Sequence, residues 1–154
     1  MTKEILLNNQ LFKVVALLEK KGQKIFTKHD LTVKNFAILV AVKNGVSKSS
    51  DLSRVISGTP SAIAQKTKIL EDKNFLKRKI DQKDRRIFHF SLTKKGQEVL
   101  DKITPDYEKA ICQLWKFLDQ GEVVRLLEIF EKVEERLAFA EKDGLVAKIL
   151  RKIF

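Results

Sequence analysis

Over most of the chain, apolar residues recur at three- and four-residue intervals, the spacing of one helix face, and over one short stretch they alternate with polar ones. The first predicted helix covers Ile5 to Lys20, striped by Leu7, Leu11, Val14, Val15 and Leu18. Leu6, Phe12 and Leu17 make its other faces apolar as well, which implies a covering partner beyond the helix's own chain. Gly22 is expected to end it, leaving Gln23 to Asp30 as a connecting loop. Thr32 is placed to cap a second helix running to about Lys43, with Leu31 and Phe36 as a hydrophobic staple and Asn44-Gly45 as the stop. Ser47 or Ser49 then caps a short third helix through Ile56, and Ser57-Gly58 turns the chain into a fourth.

That fourth helix is the most informative. The Thr59 hydroxyl can cap it, and Pro60 suits a first helical position, where its missing N–H is no loss. Ile63, Thr67 and Leu70 fall on one side. Ser61, Gln65, Lys68 and Asp72 lie almost opposite, a face rich in groups that bond to bases or phosphates. Asn74 provides a left-handed stop. The period then changes: Phe88, Phe90 and Leu92 alternate with Ile87, His89 and Ser91, a strand with one buried face. The tip Asp81 to Arg86 holds two Asp, one Lys and two Arg. A helix, a turn, a capped polar-faced helix and a basic hairpin together describe a winged helix-turn-helix.

Beyond the hairpin, Thr93 opens a helix through Leu100 and Ile103, which Pro105 is expected to interrupt, the run Thr104-Pro105-Asp106 restarting or kinking it. Ile111, Leu114, Trp115 and Leu118 continue its apolar face. Asp119 and Glu122 form a capping box for a further helix, with Leu118 and Val123 at staple spacing and Val123, Leu126, Leu127, Phe130, Val133 and Leu137 as its stripe. Asp143-Gly144 breaks it, and Leu145, Val146, Ile149, Leu150 and Ile153 predict a last short amphipathic helix. The broad terminal stripes point to two copies bundled across a two-fold axis.

The runs L-E-D-K-N-F-L-K-R (Leu70 to Arg78), D-Q-K-D-R-R (Asp81 to Arg86) and S-L-T-K-K-G (Ser91 to Gly96) resemble the MarR family of transcription regulators. Leu31-Thr32 followed by Phe36, Ile38 and Leu39 resembles the opening of that family's second helix, and Leu52 to Leu70 matches its helix-turn-helix spacing. Two departures stand out: Asn74 replaces the usual glycine, and Gly58, Lys66 and Thr67 occupy positions that are usually apolar, which implies looser packing of the helix. The implied fold is mainly α with a small β-hairpin wing. A winged helix-turn-helix lobe spans 31–95, and a helical dimerisation lobe is built from 1–21 and 96–154 of one continuous chain. The implied function is a homodimeric regulator, by default a repressor, on a palindromic double-stranded DNA operator. The resemblance further implies that Asp84 orients an arginine, that Arg86 reaches a minor groove and that Arg85 lies near the backbone. Arg78 is left between a phosphate contact and an internal partner for a wing aspartate. The rival reading is a dimeric interaction module binding protein or RNA.

Charge sharpens this picture. The net charge is +11, and from Lys43 to Lys95 there are 14 basic residues against 5 acidic. Residues 1–42 carry 7 against 3, and residues 96–154 carry 10 against 12. Most of the excess thus falls in the segment singled out by pattern, as a phosphate-facing lobe requires. For Ser61, Gln65 and Lys68 the plain alternative is a solvated helix face, and for Asp84, Arg85 and Arg86 a charged hairpin tip. The capped start at Thr59, the wing and the local charge together favour DNA contact.

Other chemistries find little support in the sequence. The single cysteine, Cys112, beside Leu114 and Trp115, reads as a small buried hydrophobe. His29 and His89 lack partners at metal-ligand spacing, and there is no nucleophile triad, acid pair or phosphate-binding glycine loop, so neither an enzyme nor a cofactor is expected. Phe12, Phe26 and Trp115 carry two readings: the resemblance implies a pocket for a small aromatic or acidic effector between the lobes, and core packing accounts for the same rings. No apolar run is long enough for a membrane span and Met1 to Glu4 opens no secretory signal, so a cytoplasmic protein is expected.

Overall fold

The computed structural model describes residues 2–56 and 58–142. Its elements are α1 (Lys3–Thr27), α2 (Val33–Lys43), α3 (Ser49–Val55), α4 (Pro60–Asp72), β1 (Leu76–Ile80), β2 (Phe88–Leu92), α5 (Lys94–Trp115) and α6 (Gln120–Lys142). Helix α2 is the post around which the core forms. Phe36, Ile38, Leu39, Ala41 and Val42 are all buried, and α1, α3, α4 and β2 pack on it. Thr32 caps α2 through a reciprocal box in which its hydroxyl oxygen accepts from the Asn35 N–H (3.1 Å) and the Asn35 carboxamide oxygen accepts from the Thr32 N–H (3.3 Å). The core is closed by Phe26, Leu31, Leu52, Ile63, Leu70, Phe75, Leu76, Phe90, Val99, Leu100 and Ile103. It therefore draws on α1 and α5 as well as on residues 31–95. The chain divides into two compact units, Met1–Ala110 and Ile111–Phe154.

Three local expectations are corrected. Helix α1 does not stop at Gly22 but runs to Thr27. A glycine in a helix costs about 0.5–1 kcal/mol, whereas burying a phenylalanine returns about 1.5–3 kcal/mol, and the extra turn carries Phe26 into full burial against the rings of Phe36 (4.8 Å) and Tyr107 (5.5 Å). Neither Ser47 nor Ser49 caps α3. Its cap is Lys48, without a side-chain bond, because the Ser47 side chain turns to β2. Pro105 lies inside α5, which continues through it. Leu100 and Ile103 are buried before it and the Tyr107 ring packs on Phe26 and Phe36 after it, so tertiary contacts on both sides outweigh the lost hydrogen bond.

The join between α4 and the wing follows from the sequence more closely. Asn74 adopts φ 58°, its N–H donates to Glu71 (2.8 Å), and the Phe75 N–H donates to Leu70 (2.9 Å), a Schellman closure with Leu70 and Phe75 both buried. Thr67, expected to loosen the helix, is buried with its hydroxyl donating to the carbonyls of Ile63 (2.9 Å) and Ala64 (3.1 Å). Strands β1 and β2 pair antiparallel, Arg78 opposite Phe90 and Lys79 opposite His89. A bridge between Lys48 and His89 adds the segment before α3 as a third edge. In the second unit, Asp119 and Glu122 cap α6 reciprocally, both bonds at 2.9 Å. The expected break at Asp143-Gly144 and the short helix after it lie outside the described residues.

Among the described residues, α1 of the first unit and α6 of the second each expose an apolar face. On α1, Leu7 is 71% and Phe12 67% exposed, with Ile5, Leu6, Leu11, Val14, Val15 and Leu17 also exposed. On α6, Val124, Leu127, Phe130, Val133 and Leu137 are exposed. Cys112 is exposed too, not buried as its apolar neighbours implied: one position along a helix turns a side chain by about 100°, and Cys112 falls outside the stripe of Ile111, Leu114 and Trp115. Among the described residues, no helix is long and apolar enough to cross a membrane.

Two of the helical glycines, Gly22 and Gly96, give opposite predictions. A Cβ on Gly96 would lie 2.0 Å from the Phe75 carbonyl oxygen, whereas one on Gly22 would meet Phe26 and Val33 at 3.6 and 3.7 Å, ordinary contact. Gly96→Ala is expected to destabilise by about 1–3 kcal/mol. Gly22→Ala is expected to stabilise by about 0.5–1 kcal/mol. Urea denaturation midpoints check both.

Candidate nucleic-acid interface

Helix α4 presents its polar face as the spacing predicts. Ile63, Thr67 and Leu70 are buried, while Ser61, Gln65, Lys68 and Asp72 line the opposite, solvent-facing side. The Thr59 hydroxyl oxygen accepts from the Ala62 N–H (3.1 Å), which fixes the helix start and leaves the hydroxyl proton free. The Lys68 ammonium lies 2.7 Å from Asp72, an exposed pair one turn apart that a phosphate could replace.

The Arg78 side chain is 45% exposed, yet its guanidinium is tied to neighbouring groups of the protein. Its Nε is 3.2 Å from Glu71 of α4 and its guanidinium lies over the Phe88 ring at 4.8 Å. The internal partner is therefore the recognition helix and not a wing aspartate: opposite Phe90, Arg78 shares the inward face of the hairpin, where Glu71 is the acid within reach. It braces β1 against α4.

The wing tip is built from carboxylates that accept backbone N–H groups. Asp81 Oδ1 accepts from Lys83 (2.7 Å) and Asp84 (3.0 Å), and Asp84 Oδ1 accepts from the Arg86 N–H (2.9 Å). Such bonds fold a short turn without glycine. Asp84 Oδ1 also receives the Arg86 Nε at 3.2 Å. The Arg86 side chain is nonetheless 91% exposed, and Arg85 beside it is exposed.

One polar cluster has no signature in the sequence. His89 Nε2 lies 2.9 Å from Asp81 Oδ2 and its Nδ1 3.3 Å from Ser47 Oγ. A carboxylate only accepts, so Nε2 carries the proton that points at Asp81. This bond, followed by the Asp84 and Lys83 backbone N–H groups, pulls the Asp81 carboxyl down from the usual 3.8 to about 2. Lys48 and Lys79 sit opposite His89 on either side, extending the basic surface. Alternation along Lys77-Arg78-Lys79 holds the signal for Lys77 and Lys79, both exposed; only the hairpin register places Lys79 opposite His89 and Lys77 opposite Ser91.

Two of the three rings proposed for an effector lie in the first unit and are far apart on α1. Phe26 is fully buried in the core, and Phe12, exposed, is about 21 Å away along α1. Trp115 stacks on Phe117 at 6.4 Å in the second unit. Among the described residues, no group of three His, Cys, Asp or Glu is arranged to hold a metal.

These elements define a winged helix-turn-helix protein. The family model described as transcriptional regulator SarA/Rot matches residues 18–103, and the chain belongs to that family. Along its length it is 27% identical over 150 residues to the transcriptional repressor MprA of Escherichia coli K12, covering 96% of this chain and 85% of MprA. The transcriptional regulator BldR from Sulfolobus solfataricus is 27% identical with a TM-score of 0.77, over 88% of this chain and 99% of BldR. Sco3205, a MarR family transcriptional regulator from Streptomyces coelicolor solved in complex with DNA, has a TM-score of 0.81 at 22% identity, over 89% of each chain.

The lowered Asp81 carboxyl gives a signed expectation. A group with a depressed folded value stabilises fully above its ordinary range and loses that contribution as pH falls through the folded value. The amide shifts of Lys83 and Asp84 should therefore hold steady from neutral pH to about 4 and move between about 4 and 2. A midpoint at 3.8, the ordinary carboxyl value, would count against the hydrogen-bonded tip.

Proposed function

We propose that the chain is a homodimeric, sequence-specific DNA-binding repressor acting in the cytoplasm. The observation that carries this reading is the pairing of an exposed polar face on α4 with an exposed arginine pair on a folded wing, in the chain's most basic segment. Helix α4 enters a major groove, Ser61 and Gln65 facing base edges and Lys68 a phosphate or a guanine. Its N-terminus, around Thr59 and Ser61, directs free N–H groups at the backbone. Arg86 enters the flanking minor groove, where a flat, weakly hydrated guanidinium is cheaper to desolvate than an ammonium, and Arg85 stays near the phosphates. Arg78 acts at one remove, by fixing the wing relative to the helix.

The homodimer is supported by the exposed apolar faces of α1 and α6, of the kind that mark interaction surfaces. Residues 1–21 and 96–154 would supply the dimerisation helices. Two-fold symmetry then requires a palindromic operator with half-sites about 10 bp apart, and bound dimers repress by blocking polymerase. An effector pocket at Phe12, Phe26 and Trp115 is not part of this reading, because Phe26 is committed to the core.

Binding of selected and random duplexes, measured against salt, tests it. The expected result is sequence-specific affinity that falls steeply with salt, from a protein sedimenting as a dimer. Equal affinity for random duplex, or a preference for single-stranded RNA, would instead indicate an interaction module. Arg86→Ala should weaken operator binding by about 1–3 kcal/mol with the fold intact; unchanged affinity in a folded dimer would remove the wing from the interface.

A further inference from the structure

We propose that His89 is a positioning residue for DNA recognition, holding the wing tip in place through a polar relay from Ser47 to Asp81. The inference rests on the duplex-binding reading above. Ser47 belongs to the segment leading into α3 and is tied to β2, its carbonyl accepting from the Phe90 N–H at 2.8 Å. The imidazole spans from there to the tip, 3.3 Å from Ser47 Oγ at one nitrogen and 2.9 Å from Asp81 Oδ2 at the other. Asp81 passes the constraint on through its second oxygen, which receives the Lys83 and Asp84 N–H groups. Asp84 passes it to Arg86 through both the backbone N–H and Nε. An unbroken run of hydrogen bonds thus links the foot of the helix-turn-helix to the arginine assigned to the minor groove.

Removing the imidazole leaves the hairpin itself in place. The Asp81 N–H still donates to Ile87 (3.0 Å), the Ile87 N–H to Asp84 (2.9 Å), and Phe90 remains buried. What is lost is the anchor on Asp81 Oδ2, so its carboxylate is free to rotate and the two N–H bonds on Oδ1 loosen. His89 therefore governs the pose of the tip and not its existence. A permanently cationic side chain would be poorly suited to the position, since Lys48 and Lys79 flank it on both neighbouring segments.

A double-mutant cycle in the full-length protein tests the relay, using a duplex selected from a random pool by the wild type. His89→Ala should weaken binding about 5–10-fold in the wild-type background and less than about 2-fold beside Arg86→Ala, because residues acting through one contact are not additive. His89→Gln, which keeps an N–H donor, should recover part of the loss. Amide exchange at neutral pH should quicken at Lys83 and Asp84 in His89→Ala and stay unchanged in α4. Equal losses in both backgrounds, or unchanged exchange at the tip, would overturn the relay. If His89→Ala misfolds by circular dichroism, Ser47→Ala carries the same cycle. If the wild type selects no duplex at all, the functional reading fails, and the exchange comparison still decides whether His89 holds the tip.

Discussion

The backbone of Phe75 is the point at which recognition helix, wing and following helix are joined. Its N–H closes the end of α4 on Leu70, and its carbonyl receives the Thr93 N–H (3.1 Å) where β2 runs into α5. The same carbonyl lies so close to Gly96 that no side chain fits there. Its ring is buried beneath the Lys95 ammonium, 5.2 Å from the centroid. One residue thereby fixes the exit direction of α4, the root of the hairpin and the start of α5. The left-handed turn at Asn74 makes the arrangement accessible, because only residues tolerant of positive φ can reverse the chain so abruptly. The glycine of the S-L-T-K-K-G run thus owes its place to a steric limit and not to flexibility.

Much of this architecture is legible in the sequence wherever a local rule acts alone. Thr32, Thr59 and the pair Asp119 and Glu122 announce their helices because capping needs residues only three positions apart. Alternation in β2 and the inward stripe of α4 are likewise local. The misses share a different origin. Gly22 and Pro105 are breakers by propensity, yet both sit in helices whose next turn buries Phe26 or seats Tyr107 against the core, and packing outweighs propensity. Cys112 escapes its apolar neighbours because its angle on the helix, not its place in the chain, sets which way it points.

The candidate site divides along the same line. Exposed residues of one helix face follow from spacing, and the tip from its composition. Arg78 does not, because its choice of Glu71 depends on how β1 returns past α4. The role of His89 is hidden because its partners are 42 and 8 residues away, on segments that meet only once the register of the hairpin is known. Polar networks that cross three segments leave no period in a sequence.

The carboxylate that holds Arg86 has an implication for how the wing meets a partner. The pair with Asp84 biases the direction of the guanidinium before contact, which trims part of the entropic penalty of association. Its charge is also partly masked by Asp84 until a stronger anion competes for it. On the proposed duplex-binding reading, a weakly negative surface leaves the aspartate in place, while the concentrated potential of a narrow groove displaces it. Directional bias and self-neutralisation, supplied by one acid, favour selectivity over indiscriminate adhesion.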